Sequence, residues 1–88
     1  AFNVKAVPER FKTMCEVIGL KQKSPKAFLA WLKKLKTQVG MPAKLSKMGV
    51  KKEQIEALVK VAIADGCHAS NPKAVTEKDF IKIFKGAL

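Results

Sequence analysis

Lys52-Glu53-Gln54-Ile55-Glu56-Ala57-Leu58-Val59-Lys60-Val61-Ala62-Ile63-Ala64 carries the clearest conformational signal in the chain. Ile55, Leu58, Val59, Ala62 and Ile63 recur at the intervals of one helix face, and Glu53, Glu56 and Lys60 fall on the other side. The spacing therefore predicts an amphipathic helix over 52–64. Upstream, Gly49 closes a connecting segment from Met41 to Met48, with one short turn expected around Leu45. Downstream the period fails between Asp65 and Val75. There Gly66, Asn71 and Pro72 mark an irregular loop carrying Cys67 and His68. A last helix is expected from Thr76: Thr76 and Asp79 have capping-box spacing, and Phe80, Ile83, Phe84, Ala87 and Leu88 supply its apolar face.

Two further helices are expected earlier in the chain. Pro8 suits a first helical turn, Glu9 suits the positive end of the dipole, and Gly19 ends the pattern. Phe11, Met14, Cys15 and Ile18 share its apolar stripe, which places the Cys15 thiol in a core as a small hydrophobe. Ser24 is an N-cap, Pro25 fits the first turn, and Gly40 with Pro42 closes a helix over 25–39. Its Phe28, Leu29, Trp31, Leu32, Leu35 and Val39 form a broad stripe that faces a core or a partner. No strand-like alternation and no internal repeat occurs. The expected fold class is all-α, a small bundle of four to five helices.

At 88 residues the chain reads as one small domain, 1–88, or as a fragment of something larger. Such a length buries only about 60% of its unfolded surface, so a large enclosed active site of its own is not expected. No run reaches the roughly 18 apolar residues of a membrane span, and the first residues lack signal-peptide regions, which gives the expectation of a cytoplasmic polypeptide with no membrane partner. Cys15 and Cys67 are too few and too separated for a disulfide scaffold and read as reduced thiols. The first residue is Ala instead of Met, as Met removal, processing or excision from a longer chain would leave it.

The residues offer little autonomous chemistry. His68 is the only histidine, and a metal site would have to recruit Cys67, Cys15, Asp65 or other carboxylates with no ligand spacing, so no metal site and no catalytic residue is expected in this chain. Cys67 and His68 are adjacent and lack a positioned third group. The glycines at 19, 40, 49, 66 and 86 are dispersed near expected helix ends and make no phosphate-cradling loop. The formal charge is +11, with +8 before Leu45, which raises a free-standing basic helical module for nucleic acid or an acidic partner as an alternative. Against it, the lysines are scattered, Arg10 is the only arginine, tyrosine is missing, and the aromatics sit in core periods.

The stretch Ala64-Asp65-Gly66-Cys67-His68-Ala69-Ser70-Asn71-Pro72-Lys73, followed by Thr76-Glu77-Lys78-Asp79-Phe80 and Ala87-Leu88, resembles the C-terminal end of iron-containing alcohol dehydrogenases. Met41-Pro42 with Leu45 and Gly49-Val50 resembles that family's segment between helices. Phe2-Asn3 with Pro8-Glu9-Arg10-Phe11 resembles the piece just beyond its last metal-binding histidine. Nearly the whole chain follows the family's C-terminal portion in order, and Cys-His followed by Asn-Pro looks most like the members acting on 4-hydroxybutyrate. The chain departs from the family in being more basic and in carrying Lys73 where Arg is common.

The resemblance implies part of an enzyme that transfers a hydride between NAD(P) and a small alcohol or aldehyde, with this part inactive by itself. In that family an N-terminal α/β domain binds NAD or NADP, and a helical C-terminal domain holds iron or zinc through an Asp and three His. None of those four ligands matches a position here, so the missing upstream part of the enzyme, with its nucleotide-binding domain and metal-ligand helices, is the expected partner, and no cofactor is expected in this chain itself. By the same resemblance Cys67 and His68 line the substrate pocket, and Gly66, Asn71 and Pro72 shape the loop that carries them.

Overall fold

The computed structural model describes all 88 residues, and its regular elements are helical: α1 (Pro8–Val17), α2 (Pro25–Gln38), α3 (Ile55–Ala64) and α4 (Glu77–Ala87). Three 3-10 helices, Leu45–Met48, Lys52–Gln54 and Gly66–Ser70, lie before, at the start of and after α3. The all-α expectation holds, with four α-helices and no strand. Packing groups the chain into two compact units, Ala1–Met41 and Pro42–Leu88. No helix is long and apolar enough to cross a membrane.

The first unit is the pair α1 and α2. Pro8 stands at the first turn of α1 with Glu9 behind it. At Ser24 the N-cap hydroxyl accepts the Ala27 N–H at 3.1 Å, which answers one of the orphan donors at the start of α2. Both helices end in the same way. Leu20 N–H donates back to Cys15 O at 2.9 Å across Gly19 (φ +74°), and Met41 N–H donates to Lys36 O at 2.9 Å across Gly40 (φ +72°). The left-handed residue in such a turn is glycine because a Cβ would crowd the following carbonyl. These closures take up Ile18 and Val39, so α1 and α2 stop slightly short of the sequence expectation.

Phe11 and Cys15 are the buried residues of this unit, Cys15 with no exposed surface, as the stripe of α1 predicts. The Cys15 thiol donates to Ser24 O at 3.4 Å, and Phe11 meets Phe28 edge-on with centroids 5.6 Å apart. That ring pair contributes about 1 kcal/mol beyond its buried area. The α2 stripe is covered less than its pattern suggests. Phe28 and Trp31 pack against each other, yet Leu32, Leu35 and Val39 are 37%, 36% and 65% exposed and no α2 residue is buried. One ten-residue helix is too short to cover the face of a fourteen-residue one.

In the second unit α3 packs on α4, with Ile55 and Val59 buried. The expected helix over 52–64 splits: its first turn is a 3-10 helix, in which Gln54 Oε1 accepts the Lys51 N–H at 2.8 Å, and α-helical bonding starts at Ile55. The capping box of α4 forms reciprocally. Asp79 N–H donates to Thr76 Oγ1 at 3.3 Å, and Thr76 N–H donates to Asp79 Oδ2 at 3.0 Å. The short turn expected around Leu45 is the 3-10 helix closed by Gly49. Gly86, expected near a helix end, lies inside the last turn of α4 and is not a cap.

Candidate functional site

The segment between α3 and α4 holds all five residues that the sequence singles out, and it is more regular than its broken periodicity suggests. Asp65 opens it. Its Oδ1 accepts the Cys67 N–H at 2.9 Å, capping the 3-10 helix Gly66–Ser70. That backbone bond first, then the Cys67 thiol and the nearby His68 ring, hold the Asp65 carboxyl below its ordinary 3.8, and desolvation opposes them. Inside the turn Ser70 Oγ donates to Cys67 O at 3.0 Å. Asn71 closes it: its N–H donates to His68 O at 3.1 Å, its side chain donates to Lys73 O, and its extended backbone is the conformation a residue before proline adopts.

His68 and Cys67 are neighbours with different surroundings. Cys67 is exposed. His68 is half-buried, with its ring edge-on to Phe80 of α4 at 5.8 Å and 81°, and Phe80 in turn stacks on Phe84 at 6.3 Å. The His68 Nε2 lies 3.1 Å from the carbonyl oxygen of Ile63, in the last turn of α3. A carbonyl only accepts, so Nε2 carries the proton in this contact. The bond satisfies one of the carbonyls that the end of α3 leaves without a helical partner. His68 therefore joins the end of α3 to α4, and only Nδ1 remains for another group.

This arrangement does not make a thiolate–imidazole pair, because the nitrogen with a partner points at Ile63 and not at Cys67. Nor do His, Cys, Asp and Glu side chains gather in a group of three that could hold a metal ion. His68 is the only histidine and its Nε2 is committed to Ile63 O, so the donors present do not by themselves make up a metal site.

Sequence reading missed a second feature of this unit. Val50, Gln54, Ala57, Leu58 and Val61 line an open, apolar groove of about 240 Å³ along α3. Its signal was present: Gln54, Ala57, Leu58 and Val61 repeat at helical spacing on a face next to the one that packs on α4. Cys67 and His68 do not line it.

The chain matches the model of the Fe-containing alcohol dehydrogenase family, C-terminal, over residues 1–88. It is 37% identical over 95 residues to the NAD-dependent methanol dehydrogenase of Bacillus methanolicus, an alignment that covers 100% of this chain and 25% of that protein. It is 28% identical to lactaldehyde reductase of Escherichia coli K12, over 98% of this chain and 24% of that one. Alcohol dehydrogenase 4 of Saccharomyces cerevisiae is 31% identical over 91% of this chain and 22% of its own length. No solved structure matches significantly. The chain thus spans about a quarter of the length of the curated relatives it matches. A match along its entire length does not favour an unrelated basic binding module, and it agrees with the helical architecture, so the chain belongs to the iron-containing alcohol dehydrogenase family as its C-terminal region.

Proposed function

We propose that this chain is the C-terminal helical part of a cytoplasmic, metal-dependent alcohol dehydrogenase that transfers a hydride between NAD(P) and a small alcohol or aldehyde, and that it is inactive alone. The carrying observation is the family match over residues 1–88, joined to the chain's spanning a quarter of its relatives. The relatives are named for methanol, lactaldehyde and 1,3-propanediol, which supports a small oxygenated substrate. On this reading the nicotinamide cofactor belongs to the N-terminal α/β domain and iron or zinc to the metal-ligand helices upstream of these residues, since none of the family's four ligands matches a position here. Bound there, the nicotinamide would take up or give the hydride and the metal would polarise the substrate oxygen.

This chain's own contribution is a wall of the substrate cleft. The turn Gly66–Ser70, closed by Asn71 and Pro72, presents Cys67 outward; with both ring nitrogens protonated His68 offers Nδ1–H to a substrate carboxylate, and as the neutral ring it offers the Nδ1 lone pair to a passing proton. The test is the complete polypeptide supplied with iron or zinc and NAD(P), assayed against methanol, lactaldehyde, 1,3-propanediol and 4-hydroxybutyrate. Reduced nicotinamide should form with at least one alcohol, and none should form with the 88-residue chain alone. A folded, fully supplied protein that turns over none of them would overturn the proposal. If His68 holds a carboxylate, His68→Ala raises KM for the acid substrate and leaves kcat nearly unchanged.

A further inference from the structure

α3 is apolar on two sides. Ile55 and Val59 are buried on the side that packs with α4. About a third of a turn away at 3.6 residues per turn, Gln54, Ala57, Leu58 and Val61 form a second row, and Val50 lies across from them. Val61 is 69% exposed in this row. The charged residues Glu53, Glu56 and Lys60 of the same stretch are confined to a third sector. A helix apolar around most of its circumference belongs to the interior of a larger structure, whereas one apolar stripe suffices for a surface helix. α3 has the first pattern and is enclosed on one side.

We infer that the groove formed by Val50, Gln54, Ala57, Leu58 and Val61 seats an apolar helix from the part of the dehydrogenase polypeptide that lies outside these 88 residues. The inference rests on the proposed function in one respect, that the working protein is longer than this chain. Three observations select this occupant. The lining row has the spacing i, i+3, i+4, i+7, the form of a helix groove that receives the ridge of another helix. No charged side chain lines the groove, so nothing in it answers a phosphate or a carboxylate, and the surface that enters is apolar. Relatives that align with 98–100% of this chain have about three quarters of their length elsewhere, enough to supply the helix.

The test uses the complete polypeptide in two variant sets. Val61→Cys and Lys60→Cys are labelled with a maleimide and read peptide by peptide, which separates them from the exposed Cys67. Val61→Cys should react roughly 100-fold more slowly than Lys60→Cys in the folded protein, and both should react alike in denaturant. Val61→Lys should lower the melting temperature by about 5 °C or more, whereas Lys60→Ala should leave it nearly unchanged. Equal labelling of the two cysteine variants, or a neutral Val61→Lys, overturns the inference. Protection that disappears on dilution to monomer overturns it too, in favour of a second copy. Dehydrogenase activity is measured separately: a protected Val61→Cys in an inactive protein refutes the functional reading alone, and a freely labelled one in an active enzyme refutes the groove alone.

Discussion

Replacing His68 with alanine removes two contacts that the structure makes explicit. One is the Nε2–H bond to Ile63 O at 3.1 Å, worth about 1 kcal/mol net. The other is the edge-on packing against Phe80 at 5.8 Å, worth roughly another 1 kcal/mol. His68→Ala should therefore destabilise the Pro42–Leu88 unit by about 2 kcal/mol, which is roughly a thirtyfold rise in the population of opened molecules. Amide hydrogen exchange of peptides from Ile55–Ala64 and Glu77–Ala87 reads that population directly. His68→Gln retains a donor without the ring and should recover about half of the loss. A double-mutant cycle with Phe80→Leu should return a coupling of about 0.5–1.5 kcal/mol, because the two rings are in contact. The reasoning is refuted if His68→Ala changes exchange by less than about twofold, or if the cycle gives no coupling.

Three shorter predictions follow from the caps, the thiols and the glycine turns. The carboxyls of Asp65 and Asp79 are held below 3.8 chiefly by backbone N–H donors, so their stabilisation is fully present above that value and is lost as the pH falls through the folded-state values. Urea unfolding at about pH 2 should show a lower midpoint than at about pH 6, and the difference should shrink in Asp65→Asn/Asp79→Asn. Cys67 should be alkylated within the mixing time while Cys15 reacts only on unfolding, as counted by mass spectrometry; equal rates would mean that Cys15 is not sealed under α2. Gly40→Ala forces a Cβ into a backbone at φ +72° and should cost about 1 kcal/mol in urea unfolding, although nothing crowds that Cβ position.

Local signals were the most legible. Thr76 with Asp79, Ser24 with Pro25, and the glycines after α1 and α2 each act through bonds spanning a few residues, so the sequence contains both partners. Burial of Cys15 was legible for the same reason, since it follows from the stripe of one helix. The turn Gly66–Ser70 was not, because a single 3-10 turn is too short to show a period and is held by Asp65 and Asn71 instead. The coverage of α2 was overestimated: periodicity states that a face is apolar and is silent about whether the neighbouring helix is long enough to cover it. Of the candidate loop, the sequence names Cys67 and His68 as the chemistry-bearing residues but carries no information on their orientations. Which way His68 turns depends on Phe80 and on the free carbonyl of Ile63, a fact of tertiary packing.

The double attachment of the Gly66–Ser70 turn has a thermodynamic consequence for anything that meets it. Asp65 ties its first residues to the end of α3, and His68 ties its middle to Ile63 and Phe80. A free loop of this length would surrender about 1–2 kcal/mol of backbone entropy per residue when a ligand or protein surface ordered it. Here that loss has already occurred in folding. Whatever approaches Cys67 therefore meets a preorganised surface, and its affinity is set by the contacts it makes and not by the cost of arranging them.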